Sequence, residues 1–108
     1  MLTKDEITVE DLKQRLDAKK PLLLLDVRNP DELAICRIGQ PKLIPLLELG
    51  QRSDELSKDQ PIVVYCHHGV RSLRATQLLL KRGFPDVKSL HGGINTWSEK
   101  IDPSVPRY

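Results

Sequence analysis

Cysteine is scarce in this chain of 108 residues: Cys36 and Cys66 are the two present, and they form no C-x-x-C pair. That excludes a disulfide scaffold and a clustered thiolate metal site, and it makes reduced thiols in the cytoplasm the expectation. Aromatic residues are also few, at 4%, and the 17 lysines and arginines are spread among 15 acidic residues. With a net charge of +2 and no basic stretch interleaved with aromatics, nucleic-acid binding is not indicated. Apolar runs such as Leu22 to Leu25 fall far short of the roughly 20 residues a membrane helix needs, so no membrane association is expected. Met1 leads into acidic and polar residues rather than the apolar stretch of a secretory leader. What is there is an ordinary globular composition, 39% hydrophobic and 30% charged, at a length suited to one domain over residues 1–108.

Strand and helix signals alternate along the chain. Thr8 followed by Asp11 resembles a helix cap, and Val9, Leu12 and Leu16 recur at helical spacing before the Lys19-Lys20-Pro21 break. Leu22 to Val27 reads as a strand buried on both faces, and Asn29-Pro30-Asp31-Glu32 turns it into a short helix that should end near Gly39-Gln40-Pro41. Leu43-Ile44 suggests another short strand, and Leu46, Leu47, Leu49 and Leu56 an irregular helical stretch around Gly50. Ile62-Val63-Val64-Tyr65 is the clearest strand; it enters a tight loop at Cys66 and then a helix predicted from about Ser72 to Arg82, stopped by Gly83. Pro85 to Leu90 predicts a last strand, Gly92-Gly93 a turn, and Ile94 to Ile101 a closing helix. This alternation implies an α/β fold with a mainly parallel central sheet flanked by helices on both faces. Such sheets gather ligands beyond the carboxyl ends of their strands, which nominates the loop at Cys66.

A thiol attacks only as thiolate, and at an ordinary pKa of about 8.5 only ~3% is ionised at neutral pH. Cys66 precedes a turn with Gly69 and then a helix start, so backbone N–H groups and the helix dipole can face the sulfur, with Arg71 adding a full charge. Lowering the thiol pKa by about two requires roughly 2.7 kcal/mol of preference for the charged form, within reach of these sources combined. The bland alternative is a small buried hydrophobe at a strand end.

Cys66-His67-His68-Gly69-Val70-Arg71-Ser72 resembles the active-site loop of the rhodanese family of sulfurtransferases, and the resemblance covers nearly the whole chain. Leu24-Leu25-Asp26-Val27-Arg28-Asn29-Pro30-Asp31-Glu32 is similar to the family's early D-V-R-x-x-x-E signature. Leu43-Ile44-Pro45-Leu46 is similar to its x-I-P-L segment, and Leu90-His91-Gly92-Gly93-Ile94 with Trp97 to its closing L-x-G-G-x-x-x-W. Ile101 to Tyr108 resembles the end of the rhodanese domain in adenylyltransferase/sulfurtransferases that serve molybdopterin synthesis. The resemblance implies a rhodanese-like fold and a persulfide on Cys66, with Arg71 assisting and His67, His68, Gly69, Val70 and Ser72 around the bound sulfur. It implies that Asp26 and Arg28 pair and brace the site. The implied donor is thiosulfate or a cysteine-desulfurase persulfide; the acceptor is cyanide in vitro, or a thiol or sulfur-carrier protein. Neither metal nor organic cofactor is implied.

The chain departs from the family where G-H-I-P-G-A is common and Cys36-Arg37-Ile38-Gly39-Gln40-Pro41 stands instead. Cys36 is then either an inert buried thiol or a partner that resolves the Cys66 persulfide as a disulfide. His67 and His68 either contact a donor or face solvent by accident, since neighbouring side chains tend to diverge. They do not make a zinc site with Cys66, because three consecutive residues poorly fill three tetrahedral positions. Trp97 is a packing residue. Two other functions compete. Phosphatases and arsenate reductases on a related fold carry a C-x5-R loop sized for a tetrahedral oxyanion, whereas Cys66 to Arg71 is C-x4-R and suits one sulfur. Non-catalytic rhodanese-like interaction modules commonly lack the loop cysteine, which is present here.

Overall fold

A computed structural model describes residues 2–108. Glu6–Ile7 forms a two-residue strand, β1. It leads into α1 (Val9–Asp17), whose first turn is closed by the Thr8 hydroxyl oxygen accepting from the Asp11 amide at 3.1 Å. There follow β2 (Leu23–Asp26), α2 (Pro30–Ile35), β3 (Lys42–Leu43) and α3 (Leu46–Arg52), the last continued by a 3₁₀ turn over Ser53–Glu55. The second half runs β4 (Ile62–Tyr65), α4 (Val70–Lys81), β5 (Val87–Leu90) and α5 (Gly93–Lys100).

The five strands form one sheet in the order β1-β5-β4-β2-β3, every pair parallel. β4 lies in the middle with all four residues buried, Tyr65 opposite Asp26 and Val64 opposite Ser89. Alternate residues of a strand face opposite sides, and the two cores follow that rule. Val63 and Tyr65 join Leu12 of α1 and Ile94 and Trp97 of α5 on one face. Ile62 and Val64 join Leu49 of α3 and Ala75 and Leu79 of α4 on the other. Continuing the alternation one step past β4 places Cys66 on the α4 side.

Several boundaries differ from the sequence expectation: α2 ends at Ile35, short of Gly39, and β3 takes Lys42–Leu43 rather than Leu43-Ile44. β1 has no counterpart in that expectation, because two residues are too short for any period to register, and β1 pairs only with β5 at the sheet edge. α4 starts at Val70, two residues before the expected Ser72. The reason is that Ser72 is not the cap: its amide is satisfied by the sulfur of Cys66. No helix among the described residues is long and apolar enough to cross a membrane.

Candidate active site

Cys66 leaves the end of β4 and is 1% exposed. Its Sγ accepts from the Gly69 amide at 3.1 Å and from the Ser72 amide at 3.3 Å. Those groups are the cap and the third residue of α4, so the sulfur does for this helix what a serine or aspartate oxygen usually does. Unpaired amides and the positive end of a twelve-residue helix both favour negative charge on the atom they surround. A hydroxyl chain backs the sulfur: Ser72 Oγ lies 3.4 Å from Sγ and 2.7 Å from Ser89 Oγ on β5.

The loop's shape depends on two glycines. Gly69 has φ of +107°, and a Cβ there would lie 3.3 Å from the Gly92 nitrogen. Gly93 has φ of +63°, and a Cβ there would come within 2.5 Å of the carbonyl oxygens of both Cys66 and His67. This close approach lets the Ile94 amide donate to the Cys66 carbonyl at 2.9 Å and the Asn95 amide to the His67 carbonyl at 3.1 Å. The start of α5 thus draws the loop carbonyls away from the sulfur and leaves the amide side to face it.

A second system, made of full charges, runs beside the loop. Arg28 is fully buried and forks onto Asp26, with Nε to Oδ1 at 2.9 Å and Nη2 to Oδ2 at 2.7 Å. Burial disfavours the Arg28 charge, but the bonds to Asp26 and Tyr108 outweigh it and hold the pKa above the ordinary value. Arg28 Nη1 also donates to the Tyr108 hydroxyl at 3.0 Å, and that hydroxyl donates to Glu32 Oε2 at 2.6 Å. Glu32 receives both terminal nitrogens of Arg71, at 2.8 and 2.9 Å, and the Asn29 amide at 3.1 Å. Arg71 above all, with Tyr108 assisting against the cost of burial, draws the Glu32 pKa down to about 2. Arg71 lies beside the loop as anticipated, but Glu32 engages its guanidinium, so the sulfur meets the field of an ion pair rather than of a lone cation.

His67 and His68 do not diverge. Their rings stack with centroids 3.9 Å apart, and His67 stacks on its other side against Tyr108 at 3.8 Å and 8°. Burial, reinforced by His68, pushes the His67 pKa below the ordinary histidine value. His67 is therefore a neutral aromatic wall at pH 7, and His68 and Val70 are exposed at the loop mouth. An open cleft of about 510 Å³ leads from there along α4 past Leu73 and Gln77, with His91 opposite. Cys36 is free and buried in the core between the sheet and α1 and α5, whereas Cys66 belongs to the core on the α4 side.

Of the residues expected around the sulfur, Gly69 and Ser72 reach Sγ through their amides, whereas Arg71 turns to Glu32, His67 lies between His68 and Tyr108, and His68 and Val70 are exposed at the loop mouth. Asp26 and Arg28 pair behind Glu32. Sequence reasoning gave no role to Glu32, Ser89, Gly93 or Tyr108. Glu32 and Tyr108 were in view as motif letters, but their meeting spans 76 positions and is a tertiary fact.

A parallel α/β sheet whose central strand delivers a cysteine into a helix-capping loop defines a domain built around a buried sulfur that two loop amides meet. A rhodanese-like domain model matches residues 8–100, and the chain belongs to the rhodanese-like domain family. It is 37% identical over 101 residues to a protein named sulfurtransferase from Allochromatium vinosum, covering 94% of each chain. It is 38% identical over 104 residues to a probable adenylyltransferase/sulfurtransferase, MoeZ, of Mycobacterium tuberculosis, covering 94% of this chain and 26% of that protein. The chain therefore spans about a quarter of the length of the adenylyltransferase relatives it matches. Among solved structures, a rhodanese-related protein from Thermoplasma volcanium has a TM-score of 0.83 at 33% identity, covering 95% of this chain and 98% of that one.

Proposed function

We propose that the protein is a sulfurtransferase that carries sulfane sulfur as a persulfide on Cys66. The observation that supports this reading best is the convergence of the Gly69 and Ser72 amides on Sγ at the start of α4. In the first step the Cys66 thiolate attacks the outer sulfur of a donor. A new S–S bond forms, the donor's S–S bond breaks, and its electron pair leaves with sulfite or with the donor cysteine thiolate. In the second step an acceptor nucleophile attacks the outer sulfur and Cys66 departs as thiolate, with no external oxidant or reductant. The outer sulfur carries the negative charge of the intermediate and extends toward the loop mouth, where loop amides and the α4 dipole stabilise it. Thiosulfate or a cysteine desulfurase serves as donor. Cyanide in vitro or a thiol serves as this nucleophilic acceptor. For a sulfur-carrier protein the outer sulfur instead attacks the activated carbonyl of its C-terminal glycine, the activating group leaves, and a thiol reductant cleaves the resulting acyl disulfide to release the thiocarboxylate. A reducing compartment such as the cytoplasm suits two free thiols.

Phosphatase or arsenate reductase chemistry is less well supported, because Arg71 is committed to Glu32 and the sulfur already takes the loop amides that an oxyanion would need. A purely binding role is less well supported, because helix capping alone calls for no thiol where a serine or aspartate oxygen would serve. The test is to load the protein with thiosulfate, or with a cysteine desulfurase and free cysteine, and to locate the added mass. A gain of one sulfur atom on Cys66 that cyanide discharges is the expected result. No gain from either donor would refute the reading.

A further inference from the structure

Arg71 is the only lysine or arginine between Cys66 and Ser72, so it is the one full cation the loop itself offers to an anionic donor. Its fork is closed by Glu32 at 2.8 and 2.9 Å. Glu32 is in turn held from three sides: by Arg71, by the Asn29 amide, and by the Tyr108 hydroxyl at 2.6 Å. Tyr108 is fixed by Arg28 Nη1 at 3.0 Å and by its stack on His67, the residue next to the nucleophile. Glu32 is only 13% exposed on its side chain, which limits solvent screening of the pair. Arg74, one turn further along α4, is exposed and its charge is correspondingly screened.

We infer that Glu32, positioned by Tyr108, sets the donor preference of the site. By making Arg71 half of a neutral pair, it leaves Cys66 with amide dipoles but no free cation. The favoured donors are then persulfides of low charge, on a protein or a small thiol, rather than dianionic thiosulfate. This inference rests on the sulfur-transfer reading, and its test does not.

Cys66 is alkylated with iodoacetate, which is anionic, and with iodoacetamide, its neutral counterpart, and the products are located by mass spectrometry. The ratio of the two rate constants cancels differences in access and in thiolate fraction, and it reports the field met by an approaching anion. Glu32→Gln keeps the side chain's shape and an oxygen for the Asn29 amide while freeing Arg71. It should raise the iodoacetate-to-iodoacetamide ratio about fivefold, equivalent to ~1 kcal/mol. Tyr108→Phe should raise it about twofold. The Glu32→Gln/Arg71→Ala double variant, neutral again, should return to the wild-type ratio. In thiosulfate-to-cyanide transfer, Glu32→Gln should lower KM for thiosulfate about fivefold with kcat little changed. An unchanged alkylation ratio in Glu32→Gln, or an elevated ratio that survives in the double variant, overturns the proposal. A protein that takes up no sulfur from any donor still yields the ratio, so loss of the function reading and loss of this inference are told apart.

Discussion

Cys36 and Cys66 are both free and buried, at 6% and 1% exposure, and both have nitrogen donors nearby. The donors differ in kind. Beside Cys36 the donor is the Arg28 guanidinium, whose Nη1 stands 3.7 Å from Sγ. That charge is already used by Asp26, by Tyr108 and by the Cys36 carbonyl at 2.6 Å. Beside Cys66 the donors are the Gly69 and Ser72 amides at 3.1 and 3.3 Å. An arginine beside a thiol is therefore not by that fact available to it. A guanidinium shared among acceptors has little left for the sulfur, whereas unpaired amides at a helix start have no other partner. Arg71 repeats the lesson inside the active site, since it too is claimed by a carboxylate.

The largest effect that would sharpen this contrast is on transfer itself. Cys66→Ser should cut persulfide loading and thiocyanate formation by ~10³-fold or more, while Cys36→Ala should stay within about twofold of wild type. Equal losses in the two variants would break the comparison. Next comes the backbone that aims the amides. Gly93→Ala forces a methyl against the Cys66 and His67 carbonyls at 2.5 Å, and should lower unfolding free energy in urea by ~2–3 kcal/mol together with transfer.

The charged system is probed by pH. The Glu32 carboxyl falls from its ordinary 4.5 to about 2 in the folded protein, so its contribution is complete above pH 4.5 and is lost as pH drops from 4.5 toward 2. Glu32→Gln should therefore be less stable than wild type by about 2 kcal/mol at neutral pH, a figure reduced for the exposed side of Arg71, and the gap should close across that acid range. A gap that is flat with pH would contradict the ion pair. The smallest effect is expected at Ser72→Ala, which strips the Ser89 hydroxyl of its 2.7 Å partner and should cost about 1 kcal/mol of stability.

The sequence makes the sheet's centre easy to read and its edge hard. Ile62–Tyr65 is a run of β-branched and aromatic residues bounded by Pro61 and the loop, and it became β4 at the same residues. Glu6–Ile7 has no such signature, because an edge pair joined to β5 by tertiary contact needs none. The loop residues were legible because they are consecutive and chemically distinctive. Its electrostatics were not, because Arg71 reads as a free cation until a carboxylate 39 positions away is placed against it. The stacked pair His67 and His68 was misread as diverging for the same reason, since Tyr108, the third ring of the stack, arrives from the far end of the chain.

The most direct measurement is the site of sulfur attachment after incubation with a cysteine desulfurase and cysteine, read by mass spectrometry of the intact protein and its peptides. The account predicts one added sulfur on Cys66, none on Cys36, and complete loss to cyanide. Sulfur found on Cys36, or a protein that stays unmodified under both desulfurase and thiosulfate, would contradict it.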